Sequence, residues 1–291
     1  MTKRRTFLKY TAMLSAGFFV KPNLLFSAPA KVAGLQLYSL RDQLPKDVKG
    51  VMAKIAEAGY KEVETFGYNK QNGYWGLNAN EFAQLLKDNG LSTPSGHYDC
   101  NQFFDNGNTE NLETYIDAAH AIGQEYIIVP SLNERFIKTG DDFKQVAEKM
   151  NKMAELLKKR GLKLGYHNHN FEWKPADGTT FYNTLLKYTD PALVFMEMDI
   201  YWVVRAGQDP IAILDEHKGR YRFMHIKDRD KTSPNLNTEI GKGDIDFKQI
   251  IPKAKAAGVT HFIMEQENYT NIDPYVSIKE SADYIKNVLN V

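Results

Sequence analysis

The stretch AHAIGQEYIIVP, Ala119 to Pro130, joins the end of one element to the start of the next. Its first half reads as the last turn of an amphipathic helix, stopped by Gly123 because glycine takes the left-handed conformation that ends a helix at little cost. Its second half, Tyr126 to Val129, is a short run of β-prone residues. The same junction recurs as AEAGYKEVETF, LKDNGLSTPSGH, KKRGLKLGYHNH, HKGRYRFMHIKD and AKAAGVTHFIMEQE, around Gly59, Gly90, Gly161, Gly219 and Gly258. Successive glycines lie 31 to 39 residues apart, except that Gly161 to Gly219 is nearly twice that. A further unit fits the gap: a helix near Phe181–Lys187, a stop at Asp190-Pro191, and the strand ALVFMEMD.

With the opening strand VAGLQLYS, the pattern predicts eight strands, each followed by a helix. In Asp141–Arg160 the apolar residues Phe143, Val146, Ala147, Met150, Met153, Ala154 and Leu157 form one helical stripe. Strand–helix–strand units of this size pair in parallel. Eight of them in one chain predict a (β/α)8 barrel of the TIM type, a single α/β domain spanning 31–291. An open doubly wound sheet competes, but it calls for a Gly-rich turn after the first strand, and YSLRDQLPKD is not one.

Residues 1–30 read differently. Arg4-Arg5 followed by Phe7-Leu8, an apolar run from Tyr10 to Val20 and the Ala28-Pro29-Ala30 site predict a twin-arginine export signal and a soluble periplasmic protein. No other stretch is long and apolar enough to suggest a membrane span. Taking the five basic residues of that segment from the total of 37 leaves 32 against 36 acidic ones, a net charge near −4. That balance argues against a nucleic-acid partner. The single cysteine, Cys100, excludes a disulfide framework and a thiolate metal site. Homo-oligomerisation is left open.

In such a barrel the active site lies at the C-terminal ends of the strands. Strand two ends at Glu64, strand three at His97, and strand five at His167 and His169. Strand six ends at Glu197 and Asp199, strand seven at His225 and Lys227, and strand eight at Glu265 and Glu267. Residues i and i+2 share a face of a strand, so each pair points the same way. Carboxylates crowded at a dry mouth oppose one another's ionisation, and a divalent cation removes that cost. His167, Asp199, His225 and Glu265 are the expected ligand set. His and carboxylate donors without Cys suit Mn2+, Zn2+, Co2+ or Fe2+. Glu64 and His97 are candidate substrate contacts. Aromatic residues on the loops after strands, Trp75, Phe104, Trp173 and above all Trp202, could stack on a sugar ring. Arg205 could contact a hydroxyl or carboxylate.

The motifs GYHNHNFEW, MEMDIYWVVRAGQDP, HIKD, GKGDIDF and MEQE resemble, across essentially the whole chain after residue 30, the xylose isomerase-like barrels known as sugar phosphate isomerases/epimerases. That resemblance implies a metal held by a Glu, an Asp, a His and a Glu from strands five to eight. Asp199, His225 and Glu265 match the last three positions. At the first, the family's ENH reads HNH, so the fourth ligand is either His167 or Glu197. The implied chemistry is proton abstraction beside a sugar carbonyl through a metal-stabilised enediolate, with Glu267, His169 or Lys227 as base and Lys227 alternatively steadying the oxyanion. Reprotonation makes an isomerase or epimerase; expulsion of a β-leaving group makes a lyase or dehydratase, for example on 3-keto-glycosides. A non-catalytic periplasmic sugar-binding barrel is the reading outside enzymology. The endonuclease-IV type of this barrel is disfavoured by the acidic chain and its seven histidines.

Overall fold

A computed structural model describes residues 34–291; the expected export signal, residues 1–30, lies outside them. Eight parallel strands close into a barrel: β1 (Gly34–Gln36), β2 (Glu62–Phe66), β3 (Ser95–His97), β4 (Tyr126–Val129), β5 (Lys163–His167), β6 (Val194–Asp199), β7 (Tyr221–Ile226) and β8 (His261–Met264). Each strand pairs with its neighbours in sequence, and β1 closes on β8. The fold is a single (β/α)8 TIM barrel.

The helices are α1 (Val48–Ala58), α2 (Ala79–Asp88), α3 (Asn101–Asn106), α4 (Glu110–Ile122), α5 (Gly140–Lys159), α6 (Phe181–Tyr188), α7 (Ile200–Arg205), α8 (Pro210–Glu216), α9 (Phe247–Ala257) and α10 (Pro274–Tyr284). Helix α5 shows how the sequence builds its wall. Thr139 and Asp142 cap its start reciprocally, and all seven residues of the apolar stripe are buried. At its far end Gly161 has φ +76°, the left-handed backbone that the junction pattern requires. Two strands are followed by a helix pair, α3/α4 after β3 and α7/α8 after β6, where the sequence pattern suggested one helix each. No helix among the described residues is long and apolar enough to cross a membrane.

The first strand is shorter than VAGLQLYS suggested. The Gln36 side chain accepts the Tyr38 amide at 3.0 Å and turns the chain into a 3-10 helix over Leu37–Leu40. Inside the barrel, Tyr126, Ile128, Phe223 and Ile263 make an apolar plug. Gly165 is the close-approach position: a Cβ there would lie 2.3 Å from the Ile128 side chain. Between β6 and β7 the register slips, with Met196 opposite Tyr221 but Glu197 opposite Phe223. This bulge skips Arg222 and sets Asp199 opposite His225.

Candidate active site and metal centre

Above the apolar plug the inward positions turn polar in layers. The lower layer joins Glu64 of β2, His97 of β3, Glu197 of β6 and His225 of β7. His97 Nε2 lies 3.0 Å from Glu64 Oε1 and 2.7 Å from Glu197 Oε2, and His225 Nε2 lies 2.8 Å from Glu64 Oε1. Gln36 Nε2 donates to Glu64 at 2.7 Å, and Ser95 donates to its other oxygen. Burial alone would push His97 down, but the carboxylates of Glu64 and Glu197 more than reverse this and lift it to about 9. Burial opposes ionisation of Glu64 as well; His97 and His225 overcome it and hold the carboxyl well below its ordinary range. This layer is an ionic network, with Glu197 Oε1, 3.4 Å from His225 Nε2, left without a hydrogen bond.

The upper layer is His167, Asp199, His225 and Glu265, all buried, with donor atoms within 4.8 Å of one another. Asp199 caps α7: its Oδ1 accepts the Trp202 amide at 3.1 Å. Its other oxygen, Oδ2, is buried without a hydrogen bond, and so is His167 Nε2, 3.6 Å away. His167 Nδ1 lies 3.3 Å from the Pro130 carbonyl oxygen, which orients the ring so that Nε2 faces the cluster. His225 Nδ1 lies 3.1 Å from Glu265 Oε2. Buried polar atoms left without partners are costly. Two of them facing a carboxylate and an imidazole are the donor chemistry that a divalent cation satisfies. These four residues can hold a metal.

The mouth layer is Lys227, Glu267, His169 and Trp202. The Lys227 ammonium lies 3.1 Å from Glu265 Oε2, 3.7 Å from Asp199 Oδ2, and in hydrogen-bond contact with Glu267. Burial would lower its pKa, yet Glu265, Asp199 and Glu267 reverse the sign and keep it protonated. Burial, with His167 and Lys227 beside it, pushes His169 down to about 2, so its ring is neutral. That ring lies against Phe171, with centroids 5.5 Å apart, and 5.4 Å from the Trp202 indole.

Residues 52–288 match the xylose isomerase-like TIM barrel family. The chain belongs to that family. A crystal structure of a sugar phosphate isomerase/epimerase from Parabacteroides distasonis is 30% identical, with a TM-score of 0.80 over 90% of this chain and 96% of that one. Among curated relatives, an inosose dehydratase of Clostridium tetani is 30% identical over 150 residues, 46% of this chain and 49% of its own. One from Geobacillus thermodenitrificans is 26% identical over 208 residues, 61% of this chain and 69% of its own. The chain thus spans about half the length of the Clostridium relative.

Within this xylose isomerase-like barrel, the structure brings the four expected ligands together at one point. Glu197 lies in the layer below, its Oε2 2.7 Å from His97 Nε2 and its Oε1 3.4 Å from His225 Nε2, while His167 shares the upper cluster. Glu64, expected to touch substrate, is fully buried and spent on the lower network, while His97 is 8% exposed and bonded into it. Arg205 donates to Tyr201 Oη at 3.1 Å and Asn235 Oδ1 at 3.0 Å, and lies over the Trp202 ring. Of the aromatic candidates, Phe104 is buried in the core and Trp173 stacks on Tyr182 at 4.1 Å. Phe104 is a packing residue, and Trp173 is half-buried against the core. Trp75 clusters with Phe66 on the opposite side of the mouth from Trp202.

Two residues that the sequence reading passed over hold the site in place. Asn168 bridges strand ends, its Oδ1 accepting the Asp199 amide at 3.2 Å and its Nδ2 donating to the Asp199 carbonyl at 3.3 Å. Glu172, fully buried, accepts Tyr166 Oη at 2.9 Å and the His169 amide at 2.9 and 3.0 Å, fixing the turn that carries His169. Burial outweighs these donors and lifts its carboxyl to about 7. The only signal available was an acid three residues after a histidine in an otherwise apolar segment, and that spacing alone names no partner.

Proposed function

We propose that the chain removes a proton from the carbon beside the carbonyl of a sugar or cyclic polyol. One observation carries this reading: a carboxylate and an ammonium ion, Glu267 and Lys227, stand one residue pair above a buried four-donor set. A divalent cation of the Mn2+, Zn2+, Co2+ or Fe2+ kind, held by His167, Asp199, His225 and Glu265, would supply Lewis-acid polarisation of the carbonyl. The rest falls to side chains. Glu267, its carboxylate 29% exposed, reaches the open mouth and takes the proton. Lys227 is held as the ammonium ion, which suits it to steady charge developing on the carbonyl oxygen and unsuits it as a base. Neutral His169 and the Trp202 Nε1, buried without a hydrogen-bond partner, offer polar contacts to substrate hydroxyls.

Return of the proton to carbon makes the reaction an isomerisation or epimerisation, the kind named for the Parabacteroides structure. Loss of a neighbouring oxygen makes it an elimination, and the relatives named inosose dehydratase favour this second reading. An unphosphorylated substrate suits the loop after β7, where Arg229 pairs with Asp244 and Lys242 with Glu239 and Glu280. It also suits the periplasmic destination that we propose from residues 1–30. The test is exchange of the substrate α-hydrogen with solvent deuterium, on inososes, free keto-sugars and 3-keto-glycosides, with metal content measured in parallel. Stoichiometric metal without exchange on any of them would leave a sugar-binding barrel.

A further inference from the structure

The candidate base stands beyond the sheet that carries the ligands. β8 ends at Met264, and its last ladder bond is the Glu265 amide donating to the Ile226 carbonyl at 3.2 Å. Its other neighbour, β1, has left the sheet after Gln36. Backbone past a strand end is mobile unless something ties it. Here side chains from two other loops do so. The Gln266 amide donates to Ser39 Oγ at 3.0 Å. The amides of Glu267 and Asn268 converge on one atom, Asn237 Oδ1, at 2.7 and 3.0 Å. Two N–H groups aimed at that atom identify it as the carboxamide oxygen. Arg41 Nη2 donates to the Glu267 carbonyl at 2.9 Å, and Gln266 Nε2 to that of Asn268 at 2.8 Å.

Asn237 is buried and is itself held, its amide donating to Asn268 Oδ1 at 3.2 Å. It opens the short strand Asn237–Thr238, which pairs antiparallel with Asp228–Arg229, directly after Lys227. Asp228 anchors this ribbon by accepting the Gly241 and Gly243 amides at 2.8 and 3.0 Å. The Asn237 carboxamide therefore ties the segment that bears Glu267 to the segment that bears Lys227, and those two side chains meet in a hydrogen bond. We propose that Asn237 is a positioning residue for Glu267, setting where its carboxylate stands over the ligand set, with Arg41 as the second grip. This rests on the reading of Glu267 as the base. Glu265 hangs on its ladder bond to Ile226, whereas Glu267 hangs on Asn237. Loss of the carboxamide should therefore misplace the base and spare the ligands. A shift of about 1 Å in a reacting group can slow turnover by up to about 10²-fold.

The experiment is a double-mutant cycle on the full metal-loaded protein, with scyllo-inosose as the probe. Asn237→Ala is expected to lower kcat roughly tenfold, with KM and metal content near wild type, and to add nothing in a Glu267→Gln background. Asn237→Asp keeps an oxygen for both amides and should recover most of the loss. Arg41→Met, at a partly exposed side chain, should lose less in the same pattern and guards against misfolding of the first variant. Full kcat in the folded variants, or the same loss with and without the Glu267 carboxylate, overturns the positioning role alone. Full turnover in Glu267→Gln sinks the base reading instead. If wild type leaves the probe unchanged, amide hydrogen exchange over residues 265–269 decides. Exchange at Glu267 and Asn268 should then rise about tenfold or more in Asn237→Ala while Glu265 stays protected. Equal protection in the variant overturns the clamp.

Discussion

The lower layer (Glu64, His97, Glu197, His225) and the upper layer (His167, Asp199, His225, Glu265) are each two carboxylates and two histidines, and they share His225. They differ in how they are satisfied. Below, His97 bridges Glu64 and Glu197, and Gln36 and Ser95 complete the bonding of Glu64. Above, Asp199 Oδ2 and His167 Nε2 are buried without hydrogen bonds, against the single atom Glu197 Oε1 below. Carboxylates and imidazoles make a more fully bonded ion network in one place and a more open donor set in the other. The degree of unspent bonding capacity distinguishes them, and composition does not.

The sharpest way to break that contrast is Asp199→Ala. It removes an upper donor, so metal affinity measured by competition with a chelator should fall by more than the roughly 10–100-fold typical of residues outside the coordination shell. Retention of stoichiometric metal would put the ligand set elsewhere. Glu267→Gln lies above both layers; it should keep metal near wild type while turnover and deuterium exchange drop about 10²-fold or more. Should His169→Gln slow exchange while Glu267→Gln does not, the histidine is the base. Glu64→Leu probes the lower layer. It leaves His97 and His225 short of a partner, for which roughly 3–5 kcal/mol of stability should be lost in a denaturant titration. It also frees the His225 ring, with a metal-affinity loss within about 10–100-fold. An affinity loss as large as that of Asp199→Ala would erase the distinction between layers.

The smallest effect is one of pH. His97, lifted to about 9 from an ordinary 6.5, contributes stability that is fully present below 6.5 and is lost as pH rises through about 9. In metal-free protein, the stability gap between wild type and His97→Gln should therefore narrow between pH 7 and pH 10. A gap that widens over this range contradicts a protonated His97.

The barrel was legible because its signals are local. Gly123 and Gly161 end helices whose apolar stripes were plain, and i, i+2 spacing put Glu197 with Asp199 and His225 with Lys227 on shared faces. Direction could be read; depth could not. Whether Glu64 meets a substrate or His225, 161 residues away, depends on how far each strand slides along its neighbours. The same limit hid Asn168, whose partner is the backbone of Asp199, and misplaced Phe104, whose fate depends on helix packing. The helix pairs after β3 and β6 were merged because their first members, α3 and α7, are only six residues long.

Arg222 gives β7 the equivalent of an expansion joint. Tyr221, below it, faces outward to bond Tyr182, while Phe223 and His225, above it, face inward, so the surplus residue reverses the strand's parity midway. Without the slip, Asp199 would stand opposite Met224 and His225 would face the helices. The mismatch is absorbed at the bottom of the barrel, where Arg222 lies 4.9 Å over the Phe195 ring and donates to the Gly258 carbonyl. The phase of the strand is thus set from the mouth downward. Deleting Arg222 would straighten the ladder and still leave His225 opposite Asp199, so chain length in the lower half of this strand can drift while the chemistry above keeps its alignment.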